Sequence, residues 1–197
     1  IRRHKSNIVD LDYDVDMMIA HRPPRARPRS LTVEVVEAVG GQCEVLMDGG
    51  IRRGADIVKA LADVVERFPS TDAAQSARYE LGSLYFGAGE YDRSIQVYRD
   101  FLDRASGGDI RAIYAWFGIG YAHEAKKEYE KALEAFGRVA SMNPGAVHEG
   151  ISYRNIARIH EAMNDRGKAL DYYRKALEKT KDPAATTLIK RKITQLG

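Results

Sequence analysis

Three stretches of this chain repeat one another, and that repetition limits the fold more than any single motif does. They read SARYELGSLYFGAGEYDRSIQVYRDFL from Ser76, IYAWFGIGYAHEAKKEYEKALEAFGRVASMNP from Ile113 and ISYRNIARIHEAMNDRGKALDYYRKALEKTKDP from Ile151. Each sets a small residue (Ser94, Ala132, Ala169) four places before an aromatic (Tyr98, Phe136, Tyr173). Twelve places upstream of each small residue stands Gly82, Gly120 or Ala157, preceded by Leu81, Ile119 or Ile156. Four places before that first small position come Arg78, Trp116 and Tyr153. Small residues at fixed spacing let two antiparallel helices approach closely, while the large ones fill the gap between neighbouring helix pairs. Repetition of this kind predicts a stack of helical hairpins, each contacting only its neighbours.

The pattern resembles the tetratricopeptide repeat. In the second copy Trp116, Ile119, Gly120, Tyr129, Ala132, Phe136 and Pro144 fall at that family's signature positions. Proline there ends the second helix because it cannot continue the hydrogen-bond ladder. Ser94, Ala132 and Ala169 are separated by 38 and 37 residues, against about 34 for this repeat. The excess predicts longer turns at ASGGDI and GAVHEG. His123 and His160 stand where the family usually has a tyrosine, and read as substitutions in a buried seam rather than as metal ligands.

Half a repeat precedes the first full copy. In ADIVKALADVVERFP the residues Ile57, Leu61, Val64, Val65 and Phe68 share one helical face, and Pro69 stops the helix. At the other end PAATTLIKRKITQLG reads as a closing helix with a more polar outer face. The predicted fold is therefore mainly α. It is an array of about three hairpins, a half repeat and a capping helix, with a short N-terminal strand and βα-like extension. The predicted segments are 1–30, a charged extension with a Pro/Arg-rich linker, then 31–53, a βα-like fragment, then 54–197, the repeat domain.

VEVVEAVGGQCEVLMDGGIRRGADIVKALA carries a second resemblance, to FMN-dependent α-hydroxy-acid oxidases and dehydrogenases. That likeness implies Asp48, Gly49, Gly50 and Arg52 at the flavin and its phosphate, where glycines admit the backbone and a guanidinium pairs with the anion. Such a barrel needs about 250 residues and eight strands, and the match spans about thirty. Residues 1–30 contain nothing like that family's catalytic segment, and repeat sequence follows at once. The expectation is no cofactor, with FMN entering only if the chain is an oxidase fragment with residual flavin or phosphate affinity. The join falls near residues 60–63, since ALADVVERFP satisfies both patterns. Gene fusion, an artificial chimera and a shifted reading frame each account for it.

Residues 1–30 hold seven Lys/Arg and four Asp, leaving 31–197 neutral, so a pI near 8.9 reports a short arginine-rich head. NIVDLDYDVDMMIA alternates as a strand with an acidic face, and its carboxylates line up rather than converge on a cation. HRPPRARPRS reads as an extended linker rather than a nucleic-acid contact, because no aromatics interleave with its arginines. No run is long and apolar enough for a membrane span. RFPSTDAAQSARYELGSLYFGAGEY resembles bacterial envelope tetratricopeptide proteins, which implies the periplasm if a leader is removed and the cytoplasm otherwise. The single Cys43 excludes an internal disulfide.

By the repeat resemblance, the first helix of each pair lines a concave groove that holds a peptide or protein partner, with no catalysis. Its groove positions give Ser76, Tyr79, Ser83 and Phe86, then Tyr114, Phe117, Tyr121 and Glu124, then Ile151, Arg154, Arg158 and Glu161. They predict an aromatic floor with a solvent-facing guanidinium pair at one end, residue types that dominate interface energetics. Tyr79 and Ser83 replace the Lys and Asn that clamp chaperone C-termini in that family. The apolar stripe of the half repeat needs a cover, by residues 31–50 in cis or, as the runner-up, by a second chain in a homodimer.

Overall fold

The computed structural model describes residues 54–142 and 144–197. The predicted strand, the βα-like fragment and Asp48, Gly49, Gly50 and Arg52 lie outside the described residues. Those described form eight helices: α1 (Gly54–Arg67), α2 (Asp72–Gly87), α3 (Tyr91–Leu102), α4 (Arg111–Ala125), α5 (Tyr129–Ser141), α6 (Ala146–Ala162), α7 (Arg166–Lys179) and α8 (Pro183–Leu196). The pairs α2/α3, α4/α5 and α6/α7 are the three repeats. Helix α1 is the half repeat and α8 the closing helix, and every helix packs on its sequence neighbours.

Local chemistry sets the boundaries. Pro69 follows α1, and Thr71 then starts α2, its side chain accepting a hydrogen bond from the Ala74 amide at 3.2 Å. Asp182 caps α8 in the same way, with Pro183 in the first turn where a missing N–H costs nothing. Inside each repeat the first helix ends in one recurring turn. Gly89, Lys127 and Asn164 hold φ of 77°, 60° and 61°. The following amides of Glu90, Glu128 and Asp165 donate back to the carbonyls of Tyr85, His123 and His160. This is the left-handed helix cap that satisfies the last carbonyls and reverses the chain in three residues.

The repeat lengths are made up differently from the expectation at one place. ASGGDI does lie in a long connection between α3 and α4. GAVHEG does not form a turn, because Ala146 to Gly150 make the first turn of α6, which runs to 17 residues. Nothing after Gly145 breaks a helix, and Glu149 in that first turn suits the positive end of the helix dipole.

The small positions behave as close-approach sites. A Cβ on Gly82 would lie 2.6 Å from the Tyr98 ring, and one on Gly120 would collide with Phe136. Ser94, fully buried, donates to the Gly82 carbonyl at 2.8 Å, which ties α3 to α2. Tyr98 is also gripped from the next repeat, since a Cβ on Gly118 would stand 2.5 Å from its ring. The ring is thus wedged between two helices of different repeats. Burial pushes its phenol pKa up to about 12 despite a 2.9 Å hydrogen bond with Ser83. Further along, Ser152 Oγ donates to the Phe136 carbonyl at 2.5 Å, and Tyr173 packs with Ala157 and Ile189 against α8. His123 and His160 are buried in the seam, as their positions imply.

Candidate partner-binding site

The groove positions all fall on α2, α4 and α6, the first helices of the three repeats. Adjacent first helices touch one another, α2 with α4 and α4 with α6. These positions therefore do two jobs: they line one face and they bond repeat to repeat.

Aromatic residues carry most of the packing. Tyr79 meets Tyr98 and Phe101 with ring centroids 5.9 and 5.7 Å apart. Phe86 sits edge-on to Tyr91, and Tyr114 edge-on to His148. Phe117 and Tyr121 stack on each other and both reach Phe136. Phe117 is 3% exposed and Tyr121 6%, so in repeat two the floor is largely core, while Tyr79, Phe86 and Tyr114 stay half-buried. The Tyr79 phenol is held above its ordinary value, mainly by burial.

Polar positions form a ladder from each first helix to the next. Arg111 Nη1 donates to Ser76 Oγ at 2.9 Å, and His148 Nε2 lies 3.2 Å from the Tyr114 hydroxyl. Asn155 donates to the Tyr121 hydroxyl at 2.8 Å. Arg158 donates to Glu124 at 2.9 Å and leans over the Tyr121 ring. One repeat on, Lys192 of α8 donates to Glu161 at 2.8 Å, and the Tyr173 hydroxyl donates to the other oxygen of that carboxylate at 2.9 Å. In both Glu124 with Arg158 and Glu161 with Lys192, a carboxylate at the end of one first helix takes a cation from the helix that follows the hairpin.

The arginines depart from the solvent-facing expectation. Arg154 is 8% exposed, and the Arg158 side chain, 23% exposed, is engaged with Glu124. The reason is that α6 is flanked on both sides, by α4 and then by α7 and α8, so a long side chain on its inner face meets protein before water. Sequence reading missed His148, Asn155 and Lys192 as members of this face. A carboxylate at the end of one first helix, answered by a cation about 31–34 residues on, was the available signal for Lys192. Among the described residues no group of three or more His, Cys, Asp or Glu is placed to hold a metal ion, and no helix is long and apolar enough to cross a membrane.

Comparison with known proteins agrees with this architecture. Residues 55–109 and 111–182 each match a tetratricopeptide repeat model, and residues 26–63 match the FMN-dependent dehydrogenase model. The photosystem I assembly protein Ycf3 of Prochlorococcus marinus is 34% identical over 65 residues, 33% of this chain and 38% of that protein. The L-lactate oxidase of a Nostoc species is 72% identical over 29 residues, 15% of this chain and 8% of the oxidase. The chain thus spans well under half the length of the curated relatives it matches. A crystal structure of MamA superposes with a TM-score of 0.53 at 16% identity, covering 72% of this chain and 87% of that one, a likeness of fold. The flavoprotein match and the repeat match overlap over residues 55–63. There α1 packs as a repeat helix, with Leu61 against Ala77 and Leu81 of α2. From residue 55 to residue 182 the chain is an array of tetratricopeptide repeats, the architecture of a protein-interaction scaffold.

Proposed function

We propose that the chain is a non-enzymatic scaffold whose first-helix face, the concave side of a tetratricopeptide superhelix, holds a peptide or protein partner. One observation carries this. The inner positions of α2, α4 and α6, first helices that touch in succession, carry half-buried Tyr79, Phe86 and Tyr114 together with the Glu124–Arg158 and Glu161–Lys192 pairs. Phe117, Tyr121 and Arg154 support that face from beneath. Such a surface is rigid before binding, so little ordering of side chains opposes association. Apolar segments of a partner would meet the aromatic side. Its charged groups would meet the ion pairs by exchanging partners.

Ycf3 is an assembly protein, and a role in holding parts of a larger assembly is the corresponding reading for this chain. The described end of the flavoprotein match, residues 54–63, is committed to α2 through Leu61, and a match of about forty residues is far short of the roughly 250 that a flavin-enclosing barrel takes. The rival reading, an oxidase fragment with residual flavin affinity, rests on the match over residues 26–63. Purified protein showing flavin absorbance would favour it.

The test uses peptides selected from a random display library on the full chain. Ile151→Arg alters the half-buried inner face of α6, and Arg174→Glu alters the exposed face of α7. Loss of the selected peptides with the first substitution, and retention with the second, supports the reading. The opposite pattern refutes it.

A further inference from the structure

The connection between α3 and α4, residues 103–110, is the longest between described helices. Extra loop length in a repeat array is placed on one face, and often on a binding face. Here it passes through Gly107 and Gly108, the latter at φ 92°, and frames a hollow of about 600 Å³. Leu102, Ile110, Ile113, Trp116, Met142 and Pro144 supply its apolar wall. Ile110 is 51% exposed and Met142 41%, two of four large hydrophobic side chains that stand exposed among the described residues. None of the groove positions lines this hollow.

The charged residues that do line it are both acidic, Asp103 and Asp109. Arg111 grips Asp109 with Nε at 3.0 Å and Nη2 at 2.8 Å, and its hydrogen bonds hold that carboxyl below its ordinary pKa. Asp109 is therefore already matched. Asp103 is exposed and makes no ion pair among the described residues, so it offers the open negative charge at the rim. An apolar hollow of this volume is of the size that takes a side chain or small ligand. A carboxylate at its edge selects for a neighbouring cation.

We propose that this hollow is a second docking site, independent of the inner face, for a peptide segment in which one large apolar side chain is followed by lysine or arginine. The apolar side chain enters against Trp116 and Met142, and the cation pairs with Asp103. Trp116 is the only tryptophan of the chain, so its emission reports on the hollow. The probe is the peptide acetyl-Gly-Phe-Lys-Lys-Gly-amide, titrated into the full chain beside acetyl-Gly-Phe-Glu-Glu-Gly-amide and acetyl-Gly-Ala-Lys-Lys-Gly-amide. A saturable blue shift with the first peptide alone is expected. Asp103→Lys and Met142→Ser should each weaken it by about tenfold or more. Both sites are exposed, so thermal melts should show the variants folded. Ile151→Arg should leave this binding intact, which separates its failure from failure of the inner-face reading. No saturable shift up to about 5 mM peptide overturns the proposal, as does equal binding of the acidic peptide or indifference to both substitutions. A blue shift that grows with protein concentration alone would also overturn it, assigning the hollow to a second copy of the chain.

Discussion

Substituting Gly118 by alanine should destabilise the array, although alanine is the better helix former. The gain in helix propensity is about 1 kcal/mol. Against it stands Tyr98, whose ring would lie 2.5 Å from the new Cβ when ordinary contact begins near 3.4 Å. The ring must retreat by almost an ångström, and Gly82 closes the other side at 2.6 Å on the same measure. Tyr98 is fully buried and its hydroxyl is bonded to Ser83 at 2.9 Å, so it has nowhere to swing. Overpacking of this kind costs about 1–3 kcal/mol, and a net loss of up to about 2 kcal/mol remains. In a chain of this size that lowers Tm by up to about 8 °C. Gly137→Ala is the control. It lies inside α5 with nothing within 4 Å of a Cβ, and should raise stability by about 0.5–1 kcal/mol. Thermal and urea melts of both variants decide the matter. With Tyr98→Ala in the background, the Gly118→Ala penalty should vanish. If Gly118→Ala instead behaved like Gly137→Ala, the wedge of Tyr98 between repeats would be refuted.

Lys127→Gly should stabilise the protein by about 0.5–1 kcal/mol, because Lys127 holds φ 60° at the cap between α4 and α5; a lowered urea midpoint would contradict this. Burial holds His123 and His160 below their ordinary pKa of 6.5, so the folded chain keeps them neutral while the unfolded chain protonates them. Their contribution is intact above pH 6.5 and is lost as pH falls below it. The His123→Gln/His160→Gln variant should show a shallower fall of Tm between about pH 6.5 and 5 than the parent, and parallel curves would show the imidazoles uninvolved. Arg158→Glu should cost about 1–3 kcal/mol by facing Glu124 across a 2.9 Å contact with a like charge. Adding Glu124→Arg should recover much of that loss in a denaturation cycle, and no recovery would exclude the inter-repeat pair.

Much of this fold is legible in the sequence because its packing signals lie at fixed short spacings. Gly82 and Tyr98, or Gly120 and Phe136, are partners within one hairpin, and the spacing that announces them is the spacing that brings them together. Gly118 carries no such signal. Its partner ring belongs to the preceding repeat, and only a three-dimensional stack shows that Tyr98 needs a glycine on both sides. Lys127 and Asn164 were hidden for another reason: the left-handed turn usually announces itself with glycine, and only Gly89 does so here. The excess repeat spacing points to a turn at GAVHEG, yet Gly150 is helical and buried against α7. For the candidate face, sequence placed the residues on the right helices but not in the right environment. Phe117, Tyr121 and Arg154 look like groove-lining groups in a linear reading. Phe117 and Tyr121 are buried against Phe136 of α5, and Arg154 lies in an α6 flanked by α4, α7 and α8, long-range packing that no local pattern encodes. The ladder Ser76–Arg111, Tyr114–His148 and Glu124–Arg158 recurs at about one repeat length, so a search for complementary polar residues at that period would have exposed it.

Whether the inner face of the first helices is the binding surface is tested most directly by site-specific photo-crosslinking in the full chain. A benzophenone amino acid at Ile151 reports from the inner face of α6, and one at Arg174 reports from the exposed side of α7. Under irradiation with a captured partner, adducts should form from position 151 and not from position 174, and an excess of the selected inner-face peptide should suppress them. Adducts from position 174 that persist in that excess, with none from position 151, would contradict the account.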